Sequence, residues 1–391
     1  MSSSAYRELF RDAAVPWEAL TGLLAQVSQG GAGIGLILVI RAHGGSYVLA
    51  GSVVGALNVA AGVIRPIQGR LIDRRGAGPL MATCGVVHPA ALAGIVALAQ
   101  LRAPGVALLA LGVVAGAALP PLSTSMRVTW GTVLPDAERT AAYSLVYLTQ
   151  ELAILTGPLI VSVCLEVANA SVAVLALAAV TAGGTFGFAV LAGRRHATRA
   201  PRAPVPAGGV WRSPPLRTLI AISALIGAVV GSLEVAVPTT ATAHHASAAT
   251  GLLIAALAVG GIAGAALYGS RRWPSSPGLR LCALLAALTA LLAAVVPVGS
   301  LVILGVLLLA AGGVLNPALT TGSLLVDDHV APAAAAEAFG WLSFGIAGGQ
   351  GAANAIAGAL THAGHATDAF LLAALAAGAA ALLAAGRASR A

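Results

Sequence analysis

The chain has 391 residues, of which 58% are hydrophobic and only 9% charged, and its formal net charge is +8. A soluble globular protein carries about 25% charged residues, so charge this sparse cannot cover a water-exposed surface and excludes a soluble domain. The basic residues, all 21 of them Arg, sit in short stretches between apolar runs, which points to lipid headgroups and membrane topology and away from nucleic acid.

Residues 1–16 carry Arg7, Glu8, Arg11 and Asp12 and no short apolar core with a cleavage site. A cytoplasmic N-terminal segment is expected there, and no cleaved signal. Beyond it, apolar runs of spanning length follow one another. They predict helices at 17–40, 46–66, 79–101, 104–126, 140–164 and 169–192, then at 216–238, 247–269, 278–297, 299–324, 334–360 and 366–386. At ~1.5 Å per residue each is long enough to cross ~30 Å of hydrocarbon. The break between the two sets, residues 193–215, holds Arg194, Arg195, Arg199, Arg202 and Arg212 with Pro201, Pro204, Pro206, Pro214 and Pro215. Such a stretch cannot be helical throughout. The fold class expected is therefore an all-α polytopic membrane protein, with twelve transmembrane helices in two six-helix bundles. The bundles occupy 17–192 and 216–386, joined by a cytoplasmic linker and followed by a tail at 387–391.

Charge orients this arrangement. With the N-terminus inside, the inward loops hold Arg65, Arg70, Arg74, Arg75, Arg127, Arg139, the linker arginines, Arg217, Arg271, Arg272 and Arg280. Arg387 and Arg390 follow on the tail, and the outward loops hold only Arg41 and Arg102. By the positive-inside rule both termini face the cytoplasm, in a cell membrane crossed many times. The acids of the loop after the tenth helix, Asp327, Asp328 and Glu337, contribute little to that rule.

The stretch Gly69-Arg70-Leu71-Ile72-Asp73-Arg74-Arg75-Gly76 reads as a tight polar turn between the second and third helices. It resembles the Gly-x-x-x-Asp-Arg-x-Gly loop of the major facilitator superfamily, with Gly69, Asp73, Arg74 and Gly76 on the pattern. The resemblance implies that fold and a conformational latch formed by Gly69, Arg70, Asp73, Arg74 and Gly76. In the second half, Gly269-Ser270-Arg271-Arg272-Trp273 occupies the equivalent place, keeping a Gly and two Arg without the Asp. Gly157-Pro158 in the fifth helix resembles the centre of the Gly-Pro motif of the superfamily's antiporters, which implies a helix-bending role.

Polar residues inside the apolar runs are the remaining candidates. Glu151 lies about eleven residues into the fifth helix, near the bilayer midplane, flanked by Thr149 and Gln150. A carboxylate there is costly when charged and is expected to face a cavity or a partner. Glu151 and Glu234, the latter one turn before Pro238, are the proton-coupling candidates. Gln26, Gln29, Asn58, Asn316, Gln350 and Asn354 are candidates for lining a cavity, or for bonding across helices. His88 is a further polar residue of this kind. Glu18 opens the first helix, where an acid favours the macrodipole. His244-His245 has no acid or cysteine nearby, and Cys84, Cys164 and Cys282 have no ligand spacing. No metal and no cofactor is expected. Gly31-Ala32-Gly33-Ile34-Gly35 lies within a spanning helix and is not a nucleotide-binding loop.

The expected partners are a small-molecule substrate, a proton or other ion gradient and the lipid bilayer, with no nucleic acid. The expected function is secondary active transport, with drug or secondary-metabolite export as the leading reading. The alternatives are a sugar or small-metabolite transporter of the same fold, or an integral-membrane enzyme. An enzyme requires paired acids or a His cluster at a membrane face, and Asp327-Asp328 is the single adjacent acid pair.

Overall fold

The computed structural model describes residues 4–196, 213–362 and 366–388. The linker residues Arg199, Arg202, Arg212, Pro201, Pro204 and Pro206 and the tail residue Arg390 lie outside them. Among the described residues there is no strand. A six-residue helix α1 (Ser4–Leu9) precedes α2 (Ala14–Ala42), α3 (Tyr47–Arg75), α4 (Ala77–Gln100), α5 (Gly105–Ala117), α6 (Leu122–Val133), α7 (Asp136–Val167) and α8 (Ala170–His196). After the linker come α9 (Pro214–Ala243), α10 (Ala249–Gly269), α11 (Pro277–Val295), α12 (Leu301–Asp327), α13 (Ala335–His362) and α14 (Ala366–Ala388). With α5 and α6 counted as one crossing, eleven spans among the described residues are long and apolar enough to traverse a membrane. The twelfth crossing is α13, which is 28 residues long but interrupted by Gln350 and Asn354.

The chain divides into two compact units. One comprises residues 10–132 and 149–204; the other comprises 1–9, 133–148 and 205–391. In the first unit α2 packs against α8, α8 against α4, and α3 against α5. Leu36, Val39, Val53, Leu92, Ile95 and Val174 form its fully buried centre. In the second unit the main pairs are α9 with α13, α10 with α12, and α11 with α14. Helix α7 contributes its first turns to the second unit and the rest to the first. Lipid is as apolar as leucine, so burial alone does not hold membrane helices together; close contact through small residues does. At Gly157 an added Cβ would lie 2.5 Å from the backbone nitrogen of Gly31, so α7 and α2 touch backbone to backbone there.

Two sequence expectations are corrected. The stretch 69–76 is not a loop: α3 continues through Arg75 and only Gly76 breaks it. An apolar run marks where hydrocarbon ends, not where the helix ends, so α3 simply projects beyond its apolar part. Gly76 has φ +80°, where an L side chain is strained, and its N–H caps the Ile72 carbonyl at 2.8 Å. Second, the predicted helix 104–126 is interrupted: α5 stops at Ala117 and α6 starts at Leu122. Pro120 and Pro121 lack the N–H groups that would continue the ladder. The carbonyls released are not left bare. Gln68 Nε2 donates to Ala117 O at 3.1 Å and Leu119 O at 3.2 Å, and Arg65 donates to Leu119 O at 3.3 Å. Irregular backbone at membrane depth is tolerated where protein supplies such partners.

Helix α1 is held on the second unit. Ala5 and Leu9 are buried, Tyr6 Oη donates to Ala265 O at 3.2 Å, and Arg272 pairs with Glu8 at 2.5 Å. Burial pushes the Tyr6 phenol above its ordinary range.

Candidate functional site

Two polar groups stand inside these apolar units. In the first unit, α6 follows the proline break with Ser123, Thr124, Ser125, Arg127 and Thr129, all but Ser123 fully buried. Ser123 Oγ donates to Gln26 Oε1 at 2.9 Å and lies 3.3 Å from Gln150 Oε1. Gln26 is itself buried and donates to Gly22 O at 2.9 Å. The helices α2, α6 and α7 therefore converge on one hydrogen-bonded set, and Glu151 follows Gln150 on α7, half-buried. Nearby, Trp130 Nε1 donates to Glu18 Oε2 at 2.7 Å, with both residues fully buried. On the α8 side, Ser28 and Thr181 share a 2.6 Å hydrogen bond.

In the second unit, Gln350 Nε2 donates to Glu234 Oε1 at 2.8 Å and Asn354 Nδ2 donates to Glu234 Oε2 at 3.1 Å. One carboxylate on α9 is thus gripped by two amides on α13. Gln350 and Asn354 are four apart, so they share a helix face. The grip depends on how closely α9 and α13 approach. A Cβ on Gly231 would overlap the backbone at Gln350, and a Cβ on Gly349 would overlap the backbone at Ala224. Glu234 itself is exposed. Nearly five helical turns separate it from Arg217 on α9 at ~3.6 residues per turn, with no other charged residue on that helix.

The sequence-predicted residues thus fall into place unevenly. Glu234, Gln350 and Asn354, read separately as a coupling acid and two cavity residues, meet at one point. Gln26 joins the α2–α6–α7 set, whereas Gln29 is half-buried and Asn58 is exposed on α3, and neither joins either group among the described residues. Asn316 is buried on α12 beside Pro317. Gly157 and Pro158 lie inside α7. In the 69–76 stretch, Gly69 and Asp73 are buried, whereas Arg70, Arg74 and Arg75 are exposed. His88 is fully buried with Nδ1 2.8 Å from Ala115 O, a bond between α4 and α5.

Two readings change. Glu18 does not open its helix; it is the fifth residue of α2, wholly buried against Trp130. Arg127 does not stand in an inner loop; it is 5% exposed within α6. The signal for both was the run of hydroxyl residues after Pro120-Pro121. That run reads as a loop until α6 is seen to pack. Arg65, read only as topology, and Gln68, which the sequence did not single out, cap the broken helix.

The profile of the Major Facilitator Superfamily matches residues 19–336. No curated protein matches the sequence. Solved structures do match. A bacterial homologue of the iron transporter ferroportin in its outward-facing state is 15% identical with a TM-score of 0.79, over 96% of this chain and 99% of that one. The human organic anion transporter MFSD10 is 19% identical with a TM-score of 0.71, over 95% and 98%. The fucose:proton symporter of E. coli is 15% identical with a TM-score of 0.70, over 95% and 97%. At these identities the likeness is one of fold. Together with the profile match over most of the chain, it means that this protein belongs to the Major Facilitator Superfamily, a family of multi-pass membrane transporters and not of enzymes.

Proposed function

We propose that the protein is a proton-coupled secondary transporter that exports a small, fairly apolar molecule by alternating access. The observation that carries the reading is the convergence of Gln26, Ser123 and Gln150 beside Glu151 in an otherwise apolar unit. A carboxylate at that depth is costly unless it faces a cavity or a partner, and such residues mark proton or substrate paths. Glu151 is the proton carrier in this reading. The surrounding amides and hydroxyls supply neutral polar contacts, which suits a substrate with few charges. A fucose:proton symporter among the structural neighbours is in keeping with proton coupling in this fold.

The arginine distribution supports a cytoplasmic location for both termini, for the linker 193–215 and for the tail, with bundles at 17–192 and 216–386 in the cytoplasmic membrane. Asp73, buried among the exposed Arg70, Arg74 and Arg75, acts with Gly69 and Gly76 as the latch of one conformation in the cycle.

The test is proton movement in proteoliposomes containing the purified chain, with apolar cations, antibiotics and sugars added in turn. Substrate-dependent proton flux that disappears in Glu151→Gln is the expected result, and its sign gives the direction. Flux unchanged in Glu151→Gln removes Glu151 from the coupling path.

A further inference from the structure

We propose that Glu234, Gln350 and Asn354 form a binding site for a protonated amine, the ammonium head of an amphipathic organic cation. The inference rests on the transport reading above and assigns its substrate class.

Three observations carry it. The first is charge. Glu234 lies in the interior of a 30-residue span, where an uncompensated carboxylate is expensive. Among the described residues, the helices packed against α9 offer no fixed counter-charge at that depth. Helix α10 has no charged residue, and α13 has only Glu337 in its first turn. The charges of α14 are Asp368 in its first turn and Arg387 in its last, and α12 ends on Asp327. These helices leave the counter-charge to be supplied by a bound cation in this proposal.

The second is the hydrogen-bond inventory. A carboxylate has about four acceptor positions, and the two amide donors use one each. Asn354 Oδ1 is buried and has no hydrogen-bond partner among the described residues. The cluster therefore has more acceptors than donors. An ammonium supplies up to three N–H donors and a positive charge on one atom. An anion is repelled, a neutral alcohol supplies one donor and no charge, and a divalent cation wants six or more oxygens where only one carboxylate stands.

The third is access. Glu234 is exposed while Gln350 and Asn354 are half-buried. An exposed carboxylate facing lipid is disfavoured, so its open side belongs to water. Helix α13, which supplies both amides, is 28 residues long yet not among the eleven helices of the described residues that are apolar enough to cross a membrane. A helix that lines a wet path has that composition.

The test is titration calorimetry on the purified full chain in detergent, with 4-phenylbutylammonium and its neutral isostere 4-phenylbutanol. The expected result is an ammonium preference of about tenfold or more, lost in Glu234→Gln and retained in Gln100→Leu. Thermal unfolding of Glu234→Gln checks that the variant is folded, and Glu234→Asp keeps part of the preference. Equal affinity of the wild type for the two compounds overturns the proposal, as does a preference that survives in Glu234→Gln. Proteoliposome flux separates this from the transport reading. Glu234-dependent binding without flux of any compound sinks the transporter mechanism and leaves the amine site. Flux with an amine preference indifferent to Glu234 sinks the amine site alone. If Glu234→Gln abolishes proton flux driven by the alcohol yet keeps the ammonium preference, Glu234 is a proton site and the proposal fails.

Discussion

Gln68 on α3 donates through Nε2 to the carbonyl of Ala117, 3.1 Å away at the last residue of α5. The relationship explains how a helix can stop in mid-membrane. In an unbroken helix the Ala117 carbonyl would accept from residue 121, and residue 121 is a proline with no N–H. An amide from a neighbouring helix takes its place, so the chain can turn at Ala118–Pro121 and start α6 with a different face inward.

Gln68→Leu keeps the volume and removes the donor. It takes the side-chain donor from the Ala117 carbonyl, while Leu119 O keeps Arg65, at a cost of about 1–3 kcal/mol. A lowered thermal midpoint in detergent is expected. Gln100→Leu is the control: Gln100 is exposed and 3.5 Å from Ser171 Oγ, so its midpoint should hardly move. Equal effects of the two substitutions would mean that Gln68 is not sustaining the break.

The first turns of α7 offer a second comparison. Tyr143 is fully buried, donates to Asp327 Oδ2 at 2.6 Å and meets Phe339 edge to face. Arg139 stands 3.8 Å from the same carboxylate and 2.9 Å from Asp136, which is largely exposed. A hydrogen bond to a charged group is worth about 1.5–3 kcal/mol, whereas a partly exposed ion pair at long range is worth about 0–1 kcal/mol. Double-mutant cycles on unfolding should give a large coupling for Tyr143→Phe with Asp327→Asn. The coupling for Arg139→Ala with Asp327→Asn should be small. The reverse order would show that the ion pair dominates.

How far the sequence discloses these features follows from what each depends on. The spanning helices are legible because hydrocarbon demands about 20 apolar residues in a row, and the runs are bounded by arginines. The end of α3 is not, because Arg70 to Arg75 remain helical beyond the apolar run. Pro120-Pro121 is visible in the sequence, but its consequence depends on Gln68, more than 40 residues away. Glu234, Gln350 and Asn354 each look notable alone, and the four-residue spacing of the two amides is legible as a common face. Their meeting is not, since nothing local links α9 to α13. The burial of Glu18 is hidden for the same reason: its partner, Trp130, lies on α6.

Asp73→Asn tests the latch. Asp73 is 6% exposed, and Asn has nearly its shape without its charge. Transport in proteoliposomes is expected to fall about tenfold or more, while expression, thermal midpoint and substrate affinity stay close to wild type. Wild-type transport rates in this variant would leave the stretch with a topological role only.

The docking of α1 is open to a chemical probe. Tyr6 and Ser144 crowd Gly269, where a Cβ would overlap the Tyr6 hydroxyl. Ala5 is 3% exposed. In a chain with Cys84, Cys164 and Cys282 replaced by Ala, an introduced Ala5→Cys should react slowly with a polar maleimide. Adding Gly269→Val overpacks the contact and should speed labelling about tenfold. Adding Arg272→Ala removes an ion pair whose arginine is 61% exposed, so it should change the rate little. If Arg272→Ala speeds labelling as much as Gly269→Val, the ion pair and not the packing holds α1.

Adjacent glycines on α13 separate the effect of helix propensity from that of helix contact. A Cβ on Gly348 meets nothing within 4 Å, while a Cβ on Gly349 overlaps the carbonyl of Ala224 on α9. In an exposed helix interior, Gly→Ala gains about 0.8–1 kcal/mol from propensity, so Gly348→Ala should be neutral or slightly stabilising. Gly349→Ala gains the same propensity but must push α9 and α13 apart, and overpacking of this kind typically costs about 1–3 kcal/mol. Its thermal midpoint should fall. Separation of the helices also draws Gln350 and Asn354 away from Glu234, because the 2.8 Å and 3.1 Å bonds have no slack. The variant should therefore lose its discrimination between 4-phenylbutylammonium and 4-phenylbutanol as well as stability, whereas Gly348→Ala keeps both. A destabilised Gly349→Ala with discrimination intact would show that the amide grip on Glu234 does not depend on backbone contact between α9 and α13.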